Sequence, residues 1–99
     1  MMTVVTRVRL REGSEPAWDA AFRQRIADVR DQPGWIAVHL GIPDGAPAER
    51  VVIGTWERRE DWEAWHGTDA FADTREAMEA AEAGDHHETW HEVALDEHR

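Results

Sequence analysis

Aromatic side chains are concentrated between residues 56 and 75, a stretch that holds three of the six tryptophans. Trp62 and Trp65 are three residues apart, so they share one face if this stretch is helical. After a break, Thr68 is predicted to cap a second helix whose apolar face begins at Phe71. Ligand pockets are lined mainly by hydrophobic and aromatic side chains. This stretch therefore predicts the wall of a pocket for an apolar ligand.

A second candidate for chemistry is the run of residues 87–91, which matches the H-E-x-x-H pattern of zinc proteases. That chemistry needs a helix, on which residues four apart rise only about 6 Å and both imidazoles reach one zinc ion. On a strand, His87 and His91 are about 13 Å apart. The run follows a helix stop at Gly84 and leads into a Val-Ala-Leu segment, so we predict a strand and no metal site. The absence of cysteine also excludes thiolate ligands and a cysteine nucleophile.

The elements that must position these side chains begin with an alternating segment at residues 1–11. Val4, Thr6, Val8 and Leu10 lie on one face and alternate with residues that are mostly arginine. This alternation predicts a strand with one buried face. Thr6 is the single polar residue on that face, so one hydroxyl group is expected on the inner side of the sheet.

A helix of about 17 residues is predicted next, with Ser14 as its N-cap and Pro16 in its first turn. One apolar stripe recurs at spacings of four, four and three residues, and it consists of Trp18, Phe22, Ile26 and Val29. The charged residues lie on the remaining sides of this helix, and they are Arg23, Arg25, Asp28 and Arg30. A proline–glycine pair at 33–34 ends the helix.

Three further strands are predicted over residues 35–42, 50–56 and 87–95, with two helices between the last two strands. The order β-α-β-β-α(α)-β is that of an α+β protein with the ferredoxin-like split βαβ plan. In this plan, helices cover one face of a four-stranded antiparallel sheet. Alternation puts Trp35 and His39 together on the uncovered face. That face is free to meet a second subunit, so the sequence predicts a homodimer.

Composition limits the classes of function. A chain of 99 residues allows one domain, spanning residues 1–99. Eleven arginines against 21 acidic residues give a net charge of −10, which repels phosphate backbones and anionic lipids. Nucleic-acid and membrane partners are therefore not expected. No apolar run is long enough to span a bilayer and no leader pattern is found, so a cytoplasmic protein is expected.

Over nearly its whole length the chain resembles the antibiotic-biosynthesis monooxygenase family of dimeric α+β barrel proteins. The resemblance is carried by the opening strand, by the Pro-Gly-Trp sequence at 33–35 and by the run from Trp56 to Phe71. That run reads W-x-x-x-E-D-W-x-x-W-x-x-x-D-A-F, and it is most similar to the branch that contains bacterial haem-degrading monooxygenases. The resemblance implies the barrel fold and a homodimer more specifically than it implies an activity.

The haem-degrading branch carries an Asn on the first strand, a Trp on the helix after strand three, and an iron-ligating His about ten residues later. Trp65 matches the Trp, but Thr6 stands at the Asn position, and Arg75, or Thr74 with a shift of one residue, stands at the His position. Arginine offers no lone pair to iron, which leaves His66 and His39 as alternative ligands. Haem is therefore an alternative cofactor for this chain, and no cofactor is the expected state.

A second branch of the family oxidises aromatic polyketide phenols without a cofactor, because the substrate anion itself reduces O₂. The resemblance to it implies an apolar pocket lined by Trp18, Trp62, Trp65 and Phe71. Arg75 would stabilise the enolate or phenolate as the only positive charge in the cleft, and His39 would accept the proton as general base. Thr6 and His66 complete the predicted ligand-binding set.

The sequence thus predicts a monooxygenase-like enzyme that oxidises a small aromatic or polyketide-type substrate in an apolar cleft. The alternatives are a non-catalytic dimer that binds haem or an apolar ligand, a haem-degrading enzyme with an altered site, and a fold kept for a structural role. Several site residues also have purely structural interpretations. Trp18 and Trp62 fit a core, Arg75 fits a helical pair with Glu79, and His39 fits a dimer interface.

Overall fold

The structure is a computed structural model that describes residues 1–99. It contains four strands and three helices, and their order is the predicted α+β order. The elements are β1 Met2–Arg9, α1 Glu15–Val29, β2 Trp35–Gly41, β3 Glu49–Trp56, α2 Arg59–His66, α3 Asp69–Ala81 and β4 His87–Glu92. The fourth strand ends at residue 92, three residues earlier than predicted.

The four strands form one antiparallel sheet in the order β2-β3-β1-β4. This is the ferredoxin-like split βαβ arrangement that the sequence predicts. Helices α1 and α3 pack against each other and bury their apolar side chains on one face of the sheet. The opposite face has no helix on it, and Ile53 on that face is 37% exposed.

The alternation predicted for β1 is reproduced. Val4 and Val8 are buried on the face that meets the helices, and Thr6 between them is half-buried. Arg7 and Arg9 are exposed on the other face. The inner face of β1 therefore carries one hydroxyl group among apolar side chains, as expected.

An irregularity in β2 contradicts the prediction that Trp35 and His39 share a face. Trp35 pairs with Trp56, whereas Ala37 pairs with the next residue of β3, Thr55, so one extra residue lies between them as a β-bulge. An extra residue shifts the alternation of side chains by one position. Trp35 consequently faces the helices and packs against the core around Trp56, whereas His39 stays exposed on the uncovered face.

The helix ends confirm both predicted cap positions, but only one of the two residues makes a capping hydrogen bond through its side chain. The Thr68 hydroxyl accepts a hydrogen bond from the backbone N–H of Phe71 at 3.2 Å and donates one to the carbonyl oxygen of Trp65 at 2.7 Å. Ser14 makes no such bond, because its backbone is nearly helical (φ −93°, ψ −2°) and not extended like that of a capping residue. The junction between α2 and α3 is thus fixed by Thr68, which sets the position of Phe71.

A glycine is required where β2 begins. Gly34 has φ +82°, a conformation that other residues rarely adopt. The carboxylate of Asp61 occupies the space that a Cβ atom at this position would fill. The carbonyl oxygen of Gly34 also accepts a hydrogen bond from the backbone N–H of Glu57 at 2.7 Å. This contact holds the start of β2 against the start of α2.

The apolar core consists of two clusters. One surrounds Trp18 and Phe22, whose rings stack with centroids 5.1 Å apart, and the other surrounds Trp56 and Trp65. The partly buried Ile26 packs against both. The two clusters line opposite ends of the space between the sheet and the helices, where the candidate site lies.

The histidines of the H-E-x-x-H run lie on β4, in agreement with the predicted strand. Strand spacing separates His87 and His91 by about 13 Å, too far for both to bind one ion. No group of three or more His, Cys, Asp or Glu side chains in the chain is arranged to hold a metal ion. None of the helices is both long and apolar enough to cross a membrane.

Candidate functional site

A cavity of about 280 Å³ lies between the inner face of the sheet and the helices. Fourteen of its 23 lining residues are hydrophobic, so the interior suits an apolar ligand. Several polar or charged side chains that line it are exposed and therefore mark its opening, namely Arg75, Glu79, His86 and Glu88. Four polar side chains of the lining are only partly exposed, and these are Thr6, Arg25, His66 and Glu82.

Phe71 lies at the centre of the polar part of this cavity. Its ring meets the buried Trp65 edge to face at 5.7 Å and the imidazole of His66 at 4.1 Å. The guanidinium carbons of Arg25 and Arg75 lie 4.1 and 5.4 Å from its centroid. One aromatic ring thus brings a base and two cations together beside an apolar cavity.

His66 is the last residue of α2, and its surroundings decide which ring nitrogen carries the proton. Its Nδ1 lies 2.8 Å from the carbonyl oxygen of Trp62, and because a carbonyl only accepts, Nδ1 must donate. The neutral ring then keeps an unshared pair on Nε2. Burial lowers the pKa of His66 below its ordinary 6.5, and repulsion by Arg25 and Arg75 adds to this, against the opposing effects of the Trp62 carbonyl and Glu88. At neutral pH this side chain is therefore an available base.

Arg25 is the site residue that the sequence analysis missed. It was assigned to the solvent side of α1, but its Nε donates to the hydroxyl of Thr74 at 2.9 Å. Burial lowers the pKa of Arg25 to about 10, so the group stays charged at neutral pH. A signal was present in the sequence, because Arg25 follows Phe22 by three residues and precedes Val29 by four, which puts it on the apolar stripe.

Arg75 occupies a more exposed position than its predicted role requires. Its side chain is 57% exposed and pairs with Glu79 at 3.6 Å, which is the helical pair considered as its structural interpretation. It still lines the opening of the cavity. The prediction that Arg75 would be the only positive charge in the cleft is wrong, because Arg25 lies deeper and closer to Phe71.

Thr6 and Trp62 line the same cavity from opposite sides. Thr6 lies on β1, and its hydroxyl makes no hydrogen bond with the protein. Trp62 is half-buried, with its ring 3.7 Å from that of His66 and edge to face with Trp90 at 4.3 Å. Arg59 stacks over Trp90 at 4.4 Å. These contacts close the end of the cavity beside His66.

Trp18 closes the opposite end. It is only 1% exposed, and its indole N–H donates to a carboxylate oxygen of Glu82 at 3.0 Å. The other carboxylate oxygen of Glu82 lies 3.9 Å from the Nδ1 of His86. Trp18 thus combines the core role considered in the sequence analysis with a place in the cavity wall.

His39 does not belong to this site. It projects from β2 on the uncovered face of the sheet, opposite Ile53, and it does not line the cavity. Of the predicted residues, the structure therefore brings together Thr6, Trp18, Trp62, Trp65, His66, Phe71 and Arg75, and separates His39 from them.

Comparison with known protein families decides the family. Residues 1–77 match the model of the antibiotic biosynthesis monooxygenase family. The chain belongs to this family. No curated protein matches the chain.

Solved structures share the fold of this family member at low sequence identity. A protein assigned as an antibiotic biosynthesis monooxygenase from Nitrosomonas europaea is similar over 96% of this chain and 100% of its own, with a TM-score of 0.88 and 15% identity. SnoaB, a cofactor-independent oxygenase from Streptomyces nogalater, is similar over 96% of this chain and 94% of its own, with a TM-score of 0.84 and 16% identity. Rv0793 from Mycobacterium tuberculosis is similar over 97% of this chain and 96% of its own, with a TM-score of 0.83 and 19% identity. These likenesses concern the fold.

Proposed function

We propose that this antibiotic biosynthesis monooxygenase family member oxidises a small hydroxyaromatic substrate with O₂ in the cavity, without a cofactor. The observation that carries the proposal is the state of His66. Its Nδ1–H is committed to the Trp62 carbonyl, which leaves the Nε2 of a neutral, partly buried imidazole free at the cavity. His66 thereby takes the role of general base that the sequence analysis gave to His39.

The chemistry needs one base, an apolar pocket and a group that stabilises an anion. His66 Nε2 accepts the phenol proton, and the phenolate transfers one electron to O₂. The two radicals combine at the para carbon to a peroxide anion, and the proton held by His66 returns to it and completes the hydroperoxide. Loss of the para C–H proton and of hydroxide from the hydroperoxide then gives the para-quinone, and these combine as water. One hydroxyarene and one O₂ thus yield one quinone and one water, with the arene oxidised and O₂ reduced.

Two features support a route without a cofactor. SnoaB, which has a similar fold, is described as a cofactor-independent oxygenase. The cavity also offers what a reacting anion requires, namely an apolar surround that strengthens electrostatic contacts and a cation beside it. The buried ring of Trp65 supplies a flat wall against which an aromatic substrate can lie.

Oxygen uptake with 1-naphthol tests this function. We expect uptake that depends on the protein, formation of 1,4-naphthoquinone, and incorporation of one atom of ¹⁸O₂ into the quinone. His66→Asn should reduce the rate by about 100-fold or more, the contribution typical of a general base. His39→Asn is the matched control, because that imidazole lies outside the cavity, and it should react like the wild type. Uptake equal to a protein-free blank, or an unchanged rate in His66→Asn, would contradict the proposal.

Haem binding is the second candidate, and the same free Nε2 atom favours it, since neutral imidazole is a common axial ligand of haem iron. A cavity of about 280 Å³ is too small to enclose a porphyrin, so a bound haem would extend through the opening. Hemin titration distinguishes the two functions. A Soret shift in the wild type that is absent in His66→Ala would support an iron ligand at His66. Loss of the band on adding ascorbate would indicate haem degradation, a stable band would indicate binding alone, and no shift would exclude this candidate.

The proposal includes a homodimer formed through the uncovered face of the sheet. Val5, Val51 and Ile53 form an apolar strip on this face, and family members of this fold pair as barrels. Sedimentation at micromolar concentration should show a species of twice 11.3 kDa, and Ile53→Arg should convert it to the monomer. A wild-type protein that sediments as a monomer would contradict the dimer. A cytoplasmic location is also part of the proposal, and cell fractionation tests it.

A further inference from the structure

The charge of Arg25 is held firmly in position, but no carboxylate contacts it, and Glu82 and Glu79 attract it only from a greater distance. Nε donates to Thr74 at 2.9 Å, Nη2 donates to the carbonyl oxygen of Phe71 at 3.4 Å, and the guanidinium stacks on the Phe71 ring. A guanidinium has five N–H donors, of which these contacts use two. None of the ion pairs of the chain includes Arg25. A fixed cation with free donors therefore faces the cavity.

The surroundings of Arg25 favour a ligand whose negative charge lies inside the cavity. Attraction between opposite charges is stronger in a partly buried site than in water. The exposed carboxylates of Glu79 and Glu88 at the opening, and the partly buried carboxylate of Glu82 beside Trp18, disfavour a ligand whose negative charge lies near them. The charge that the site accepts is thus an oxyanion beside Arg25, attached to an apolar body that fills the rest of the space.

The size of the cavity limits that apolar body. An engineered cavity of about 150 Å³ is sufficient to hold benzene. The present cavity of about 280 Å³ has nearly twice that volume. It is therefore large enough for two fused aromatic rings and too small to enclose three.

We propose that the cavity selects two-ring hydroxyaromatics, bound as the oxyanion, and that Arg25 is the residue that recognises the anionic oxygen. This inference rests on the proposed function, in which His66 removes the proton that creates the oxyanion. Binding itself does not require O₂. Selectivity can therefore be measured without any reaction.

Anaerobic calorimetry with phenol, 1-naphthol and 1-anthrol tests the ring number. We expect 1-naphthol to bind about tenfold more tightly than phenol, because the second ring buries further apolar carbon. The third ring of 1-anthrol should add no affinity, since it has no enclosed space to enter. A further tenfold gain for 1-anthrol, or equal affinity for all three ligands, would overturn the size limit.

Variants of Arg25 test the recognition of the anion. Arg25→Gln should weaken 1-naphthol binding by about 10- to 100-fold, the range for hydrogen bonds to a charged group, and Arg25→Lys should restore part of it. Arg23→Gln is the matched control, because it removes the same charge from an exposed position two residues away on α1. Equal weakening in the Arg23 and Arg25 variants would overturn the assignment, as would no binding by the wild type. Tight, Arg25-dependent binding without oxygen uptake would instead sustain this inference and contradict the proposed oxidation.

Discussion

Two arginines of this chain lie away from bulk solvent, and they differ in whether a carboxylate of the protein pairs with their charge. Arg50 is 3% exposed and forms a two-pronged pair with Asp19 at 2.9 and 3.1 Å. It also donates to the carbonyl oxygens of Pro47 and Glu49. The hydrogen bond to Asp19 raises the pKa of Arg50. Arg25 has a hydroxyl and a carbonyl as its partners, and burial lowers its pKa to about 10.

The difference separates a structural cation from a binding cation. Arg50 has its charge matched within the fold, so its role is to fix the loop before β3 against α1. Arg25 is equally well positioned, but no carboxylate contacts it, and burial outweighs the attraction of the more distant Glu82 and Glu79. Groups in clefts that are only partly compensated in this way mark functional sites. We therefore expect a ligand oxyanion to pair with the charge of Arg25, as the carboxylate of Asp19 pairs with that of Arg50.

The largest effect is expected from breaking the structural pair. Asp19→Ala leaves the buried charge of Arg50 without its partner and should lower the free energy of unfolding by about 2–3 kcal/mol. This is below the 3–5 kcal/mol typical of fully buried pairs, because Asp19 itself is 37% exposed. Urea denaturation measures the change. Asp28→Ala, on the same helix but in an exposed contact with Gln24, should change stability by less than about 0.5 kcal/mol.

A second variant gives Arg25 an internal partner and so makes it resemble Arg50. Thr74→Asp puts a carboxylate where the hydroxyl now accepts from Arg25 at 2.9 Å. We expect 1-naphthol to bind about tenfold more weakly or worse, since the anion site is then occupied by the protein. Thr74→Val, which has the same size but no anion, should retain most of the affinity. Unchanged affinity in Thr74→Asp would show that Arg25 does not hold the ligand.

Removing the binding cation should hardly affect stability. Arg25→Met keeps an apolar chain of similar length over Phe71 and loses no ion pair, so we expect a change in the free energy of unfolding of less than about 1 kcal/mol. The same urea experiment as for Asp19→Ala gives the comparison. A loss as large as that of Asp19→Ala would mean that Arg25 is structural after all.

The smallest expected effect is the contribution of His66 to the pH dependence of the free energy of unfolding. Because its pKa is lower in the folded protein than the ordinary 6.5, the unfolded chain binds more protons as pH falls below about 6.5. The contribution of His66 to stability is thus complete above that value and is lost as pH falls through the folded pKa. Denaturation curves between pH 7.5 and 5.5 should show this slope in the wild type and not in His66→Gln. In Arg25→Met the slope should be smaller, because repulsion by Arg25 is one cause of the lowered pKa.

Local patterns predicted the fold well because each element is decided by nearby residues. The alternation of β1 placed Thr6 correctly, and Thr68 caps α3 as expected. The bulge in β2 could not be predicted from the alternation of residue types, because Trp35, Ile36 and Ala37 are all apolar and fit either face of the sheet. The register is instead set by pairing with β3, which is a tertiary effect.

The sequence predicted the aromatic side chains that line the candidate site, but not which charged and basic side chains face it. The aromatic stretch gave Trp65 and Phe71, both of which line the cavity. Arg25 was missed because a charged residue on an apolar stripe was assigned to solvent, although a long side chain can cover apolar surface while its charge faces a cavity. The state of His66 depends on the carbonyl of Trp62 and on the burial around it, which no spacing in the sequence reveals.

The most direct test of the central claim follows the two arginines together. The Nε–Hε signals of Arg25 and Arg50 can be assigned by NMR with the Arg25→Lys and Arg50→Lys variants and followed during anaerobic titration with 1-naphthol. We expect the Arg25 signal to move and saturate with the ligand, while the Arg50 signal stays unchanged. A ligand that saturates the protein and leaves the Arg25 signal unmoved, or shifts both signals equally, would contradict the claim that Arg25 is the binding cation of this cavity.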